Sequence, residues 1–348
     1  MIKGTVTNIY KTHKKYIAEG LDHFSEFHFV HGILKASLDA TDEASQLNAG
    51  PASSYWSTIA DIAYFSGTTF RTIRGGLNRI SGAFVPHLKG HLTLRRRITA
   101  LSTANGKTTL TSRPSPLTKK TINTTHDYTI LALPFTELRK LRLPALTPLH
   151  HRAINNLNYI SACKVALQFK RRFWEQDLKK PIFGGCGTTD IPGIGGFCYP
   201  SFGMNSTGPG VMLASYVVGE DGLRHVSLRD EEYVGKALDA VEELHGREVD
   251  VRRLWTGKYD RVCWVQEEGA SAGWAEPYAG QHELYLPAYF ETVDGVIMVG
   301  EHTGYVHGWI AGALETAVRG AVQLCLELGL VEEAKEIVDT WMARWITV

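Results

Sequence analysis

Two polar–glycine clusters lie seven residues apart near the end of the chain. Gly300-Glu301 closes the apolar run Val296–Val299, and His307-Gly308-Trp309 opens the helix-like stretch that follows. Glycine has no Cβ, so it lets a ligand come close to the backbone at a strand end. A helix start presents N–H groups without partners inside the helix and about half a positive charge, which stabilises an anion placed there. Gly300, Glu301, Gly308, Trp309 and Ile310 are therefore candidate ligand contacts. Plain strand–loop–helix packing is the competing reading of the same residues.

Lys164 stands in a second place where chemistry is possible. Val165, Leu167 and Phe169 alternate around it as in a half-buried strand. A buried ammonium is costly without a partner, so Lys164 is either functional or an edge lysine whose stem reaches to solvent. Tyr216, in the apolar run Gly208–Gly219, offers a hydroxyl to a ligand or packs as a structural tyrosine.

The elements that must position these residues follow from pattern. Residues 1–70 are mostly helix-like, with polar breaks around Asp39–Glu43 and Gly50–Ser54. A Gly75-Gly76 turn leads into an amphipathic helix ending at Pro86, and residues 91–102 alternate as a half-buried strand. Residues 102–125 are rich in Thr, Ser and Lys; Asn105-Gly106 marks a hairpin turn, and the rest reads as an exposed insert. Strands are expected at 127–134, 162–174, 208–219 and 295–301. One helix ends at Gly246, a C-cap position, and another spans Gly308–Leu328. In the tail, Val331, Ile337, Val338, Trp341 and Trp345 recur at helical spacing. Strands and helices alternate in both orders, which favours an α/β class.

Composition narrows the function classes. The 348 residues carry a net charge of +1, so no overall field recruits nucleic acid or an anionic membrane. The chain contains no apolar run of about 18 residues and its first residues lack a signal-peptide core, which favours an intracellular location. Five cysteines without a CxxC argue against a zinc site or a disulfide framework and read as small buried hydrophobes.

Several segments carry a family resemblance. "GVIMVGEHTGYVHGWIAGALETAVRG" resembles the C-terminal flavin-binding motif of the flavin-containing amine oxidase superfamily, in particular fungal L-amino-acid oxidases. "KVALQFKRRFW", "YTILALPFTELRKL" and "GGLNRISGAF" are similar to its lysine strand, its second flavin-contacting strand and the segment before that. "GGCGTTDIPGIGGFCYPS" and "CWVQEEGASAGWAEPYAGQHELYLPAYF" are similar to its substrate-domain segments. The resemblance covers roughly residues 50–348.

It implies an α/β two-domain fold with FAD as cofactor and oxidative deamination of an L-amino acid by O₂ to a 2-oxo acid, ammonia and H₂O₂. It divides the chain into a helical region (1–70), part of an FAD-binding domain (71–157), a substrate-binding domain (158–290), the rest of the FAD-binding domain (291–330) and a C-terminal helix (331–348). Gly75, Gly76, Gly300, Glu301, Gly308, Trp309 and Ile310 would contact the flavin. Lys164 would hold a water near the reacting edge, Tyr216 would bind the substrate carboxylate, and Trp274, Gly308 and Trp309 would enclose the substrate.

Two departures stand beside it. The family's GxGxxG unit, which brings a helix N-terminus to the FAD pyrophosphate, is absent, and so is the arginine that pairs with the substrate carboxylate. A fragment of a longer enzyme, one chain of a two-chain enzyme completed by an N-terminal partner, and a non-catalytic binding paralogue all remain open. Within enzymes, a monoamine or polyamine oxidase is the rival reading, and a carboxylate partner at Tyr216 argues against it. The family's frequent dimers make a homodimer a further expectation.

Overall fold

The computed structural model describes residues 2–47, 52–66 and 71–342. Among them the strands are β1 (Arg97–Ala104), β2 (Lys107–Arg113), β3 (Ile122–His126), β4 (Thr129–Leu131), β5 (Tyr159–Ile160), β6 (Ala162–Phe169), β7 (Gly185–Thr188), β8 (Gly196–Tyr199), β9 (Gly210–Val218), β10 (Trp255–Cys263), β11 (Trp274–Ala275) and β12 (Val296–Met298). The chain divides into two compact units. One comprises Met1–Phe24, Ser54–Leu157 and Ala279–Val348; the other comprises Ser25–Ser53 and Asn158–Tyr278.

In the first unit β12 pairs in parallel with β4, Ile297 opposite Ile130. Val296, Ile297 and Met298 are all buried, as an apolar strand covered on both faces must be. The helix Ile310–Glu327 packs on this strand through Gly320, where a Cβ would come within 2.5 Å of Val299 Cγ1. Trp56, Ile9, Tyr16 and Ile59 form a second cluster with Val306. The helix Tyr55–Phe65 contributes Trp56, and Ser54 caps it by accepting the Trp56 amide.

Residues 102–125 are largely exposed, as expected, and are ordered mainly as strands. β1, β2 and β3 make an antiparallel meander, because Asn105 and Gly106 both take positive φ and close a two-residue hairpin. Thr108 and Ser112, four residues apart on one face of β2, are buried. Asp39–Glu43 is not a break; it lies inside the helix Leu38–Leu47. The helix after Gly76 runs Asn78–Phe84 and tightens into a 3-10 turn over Val85–Leu88 that contains Pro86. Its apolar residues Leu77, Phe84, Val85 and Leu88 are exposed, so it buries no face. In the tail Val338 is buried but Trp341 is 71% exposed, so only part of the expected stripe packs. Gly50 and Trp345 lie outside the described residues.

The second unit is built on an antiparallel sheet of order β10-β6-β9-β8-β7. Cys163, Val165, Leu167 and Phe169 face one side of β6 and are fully buried; Lys164, Ala166 and Gln168 face the other and are half-buried. The buried side packs on the helix Asp230–His245 through Tyr233, Val234, Ala237, Leu238 and Val241. That helix ends at Gly246, which closes it with right-handed rather than left-handed geometry, its N–H donating to Glu242 O.

The cysteines depart from expectation. Cys163–Cys263 and Cys186–Cys198 are disulfides, and Cys325 is free. Each pair sits directly opposite across neighbouring strands, β6 with β10 and β7 with β8. An odd count without CxxC does not exclude cross-strand pairing, because strand register sets the partners opposite one another, whether 100 residues apart in sequence or 12. Among the described residues no helix is long and apolar enough to cross a membrane, and no group of three His, Cys, Asp or Glu side chains is arranged to hold a metal.

Candidate active site

The first unit places the strand end and the helix start together. After β12 the chain passes Gly300 at φ 124°, a conformation glycine adopts without strain. A Cβ there would lie 2.4 Å from His302 Cε1. The Gly300 amide donates to Thr316 Oγ1 at 2.8 Å, and Thr303 Oγ1 donates back to Gly300 O at 2.9 Å. Arg319 stitches the turn from the helix side. Its buried guanidinium donates to Met298 O (2.9 Å), Thr303 Oγ1 (2.8 Å), Gln323 Oε1 (2.9 Å) and Tyr289 O. Burial lowers its pKa to about 10; the four acceptors are held by its two terminal nitrogens, and its Nε has no hydrogen-bond partner among the described residues.

Glu301 begins a 3-10 turn over Glu301–Thr303 and turns its carboxylate onto the next loop. Its Oε2 accepts the Gly308 amide at 3.0 Å and lies 3.6 Å from His307 Nδ1. Burial alone would raise its pKa, but the His307 and His302 rings and the Gly308 N–H outweigh it and hold the carboxyl below the usual range.

The helix begins at Ile310, two residues later than the glycine pattern suggests. Gly308 is exposed at φ 74°, and Trp309 occupies the N-cap position with extended backbone and no side-chain cap. The first amides of an 18-residue helix are thus left without a side-chain partner. The Trp309 indole N–H donates to Asp61 Oδ1 at 2.7 Å, and its ring packs against Tyr64 and Phe65 with centroids 5.2 and 5.0 Å away. Gly312 allows the helix to approach the loop, since a Cβ there would meet Val306 O at 2.4 Å.

Behind this loop lies a histidine cluster that sequence reading did not find. The His13 and His282 rings are 5.1 Å apart and the His282 and His307 rings 5.0 Å apart. All three are buried, and the Nε2 atom of each has no hydrogen-bond partner among the described residues. Burial, with the neighbouring His307, pushes His13 down to about 3 and His282 well below its ordinary value. Burial also lowers His302 to about 4. No spacing rule links positions 13, 282 and 307; only packing of three separate elements brings them together.

Gly75 and Gly76 form an exposed turn of their own. Both are exposed with positive φ, and a Cβ on either would meet only Arg79 or Asn78 of their own turn.

The second unit holds the other candidates. Lys164 and Tyr216 are direct cross-strand partners on β6 and β9. Lys164 Nζ lies 4.4 Å from the Tyr216 ring centroid and 5.2 Å from that of Trp264. Burial lowers the Lys164 pKa. Trp264 was not singled out from sequence; its place one residue past a strand-end cysteine was the available signal. Trp274 lies on β11, paired with β5, and commits its indole N–H to Glu276 Oε2 at 2.9 Å.

A model of the family described as flavin containing amine oxidoreductase matches residues 11–325. The chain belongs to this family. It is 48% identical to an L-amino-acid oxidase of Neurospora crassa over 98% of this chain and 50% of that protein. It is 29% identical to a putative L-amino-acid oxidase, YobN, of Bacillus subtilis over 89% of this chain and 63% of the relative. The chain thus spans half to two-thirds of the length of these relatives. The fold matches a cyclohexylamine oxidase from Brevibacterium oxydans at a TM-score of 0.66 and 14% identity, covering 89% of this chain and 69% of that structure. A putrescine oxidase variant matches at 0.67 and 14%, covering 90% and 69%.

The α/β fold is therefore that of the flavin amine oxidases, and membership implies FAD as cofactor. Two observations test whether the residues fit it. The uncapped start of the Ile310–Glu327 helix and the exposed, Cβ-free Gly308 form a cradle for a group carrying negative charge. Glu301 stands at the strand end beside it. These residues fit one part of a flavin dinucleotide.

Proposed function

We propose that this chain, together with any polypeptide that completes its flavin site, catalyses the oxidative deamination of an L-amino acid to a 2-oxo acid, ammonia and H₂O₂. The observation that carries the reading is the cross-strand pairing of Lys164 with Tyr216 on the half-exposed face of the sheet, in a chain 48% identical to an L-amino-acid oxidase. FAD, when bound, supplies the two-electron chemistry, taking the equivalent of a hydride from Cα and passing the electrons to O₂.

The chain's own residues bind and orient. Gly300, Glu301, Gly308, Trp309 and Ile310 would hold the cofactor, the helix start setting its partial positive charge against it. The Tyr216 hydroxyl donates to the substrate carboxylate, which separates this reading from a simple amine oxidase. Lys164 donates to a water at the reacting edge. Each candidate tryptophan has its indole fixed within its own unit, Trp309 by Asp61 and Trp274 by Glu276, which suits the substrate-facing role the family resemblance gives it. Fixed orientation of the Cα–H bond carries much of the rate in such a site. Gly75 and Gly76, in an exposed turn with positive φ, leave backbone open to a cofactor as the family resemblance implies.

Absorbance between about 350 and 500 nm tests this. The purified chain is examined before and after FAD is added, then with L-phenylalanine without oxygen. Flavin bands that bleach with the amino acid support the assignment. Bands that bleach with an amine such as putrescine but with no amino acid overturn it in favour of an amine oxidase. A colourless chain that takes up no flavin but binds the amino acid supports a non-catalytic paralogue.

A further inference from the structure

Lys164 has a second aromatic neighbour whose placement is too well supported to be incidental. On the β6–β10 ladder Lys164 faces Val262 and Cys163 faces Cys263. Trp264, two residues beyond Val262, is the diagonal neighbour of Lys164 on the same side of the sheet. The residues flanking Trp264 are fixed. Cys263 is tied to Cys163 by the disulfide. Gln266 donates to Val226 O at 3.1 Å and accepts from Arg261 at 3.0 Å, and Arg261 donates onward to Val226 O and Leu228 O. The 3-10 turn Trp264–Gln266 is therefore clamped at both ends. The Lys164 ammonium lies between the rings of Tyr216 and Trp264 and makes no hydrogen bond or ion pair among the described residues.

We propose that Trp264 is a positioning residue that, with Tyr216, holds the charged form of Lys164 in place through the face of its ring. An ammonium over an indole face is attracted by the ring quadrupole, most strongly for Trp and more so when partly desolvated. An aliphatic side chain of similar bulk would desolvate Lys164 equally and return nothing to the charge. Burial is the cause that lowers the Lys164 pKa, with no charged group beside it among the described residues; the rings at 4.4 and 5.2 Å are the groups placed to favour the charge. The consequence for the reaction rests on the reading of Lys164 above as the lysine that holds a water. The interaction itself does not.

The test compares W264F with W264L. The Lys164 pKa is read from the pH dependence of its acylation by acetic anhydride, followed by peptide mass spectrometry on the purified chain without flavin. W264F should retain the wild-type value to within a few tenths of a unit. W264L should lower it by a further half to one unit, roughly the value of a partly buried cation–π contact. W264M supplies the same comparison should W264L not fold, and an intact Cys163–Cys263 peptide reports the fold. Equal pKa values in the Phe and aliphatic variants would overturn the proposal and leave Trp264 a packing residue. Because no flavin is required, that result is distinct from failure of the oxidase assignment.

Discussion

The Glu301 carboxylate accepts the Gly308 amide at 3.0 Å, so the first residue of the turn after β12 fixes the backbone two residues before the next helix. The loop between them carries Tyr305, Val306 and His307 into the interior. This contact is what makes the two glycine clusters of the sequence one site. A hydrogen bond to a charged group contributes about 1.5–3 kcal/mol. Glu301→Gln should cost about 1–2 kcal/mol in urea unfolding at neutral pH. The pH dependence follows from the direction of the shift. Because the folded pKa is depressed, the contribution is complete above the unfolded value of about 4.3 and is lost as pH falls through the lower folded value. The variant should lack that loss; an identical acid limb in wild type and variant would show that Glu301 contributes nothing.

The buried histidines predict a separate, milder acid sensitivity. His13 and His282 are held neutral in the folded chain, far below the ordinary 6.5. Their contribution is complete above about pH 6.5. As pH falls below that, the unfolded chain takes up protons the folded chain refuses, and stability drops. Each such histidine steepens the fall by up to about 1.4 kcal/mol per pH unit. His282→Gln should flatten the slope between about pH 4 and 6 by roughly that amount, measured by denaturant melts across the range.

The Trp309–Asp61 hydrogen bond should be detectable as a coupling rather than as a simple loss. A double-mutant cycle of Asp61→Asn and Trp309→Phe should give about 0.5–1.5 kcal/mol of interaction in thermal or chemical unfolding. Additive single effects would mean that the indole is held by Tyr64 and Phe65 alone.

Thiol chemistry checks the cross-strand pairs. Protein purified without reductant should show one titratable thiol, Cys325, in denaturant, and all five after reduction. Cys163→Ala should cost more stability than Cys186→Ala. The first bridge spans a sequence separation of 100 and the second only 12, and the chain-entropy model gives roughly 4–5 against 3 kcal/mol. Five thiols without reductant would contradict both pairings.

Much of the local architecture was written in the sequence. The 2-residue alternation in Ala162–Phe169 set which residues face the core, because a strand's side chains point to opposite faces. Asn105-Gly106 marked a hairpin, and the glycines at 300 and 308 marked the two ends of the loop between β12 and the helix Ile310–Glu327. The order of the family segments carried the fold class. Long-range pairing was not legible. Cys163 meets Cys263, His13 meets His282, and Trp309 meets Asp61 only because separate elements pack together, and no short-range rule records such contacts. The helix start at Ile310 rather than Gly308 was likewise decided by tertiary structure: Glu301 holds the Gly308 amide, and Asp61 holds the Trp309 ring, so the chain turns helical only beyond them. Local pattern determined which residues could form each element. Packing decided which of them became neighbours, because burial forces polar groups to find partners wherever in the chain those partners lie.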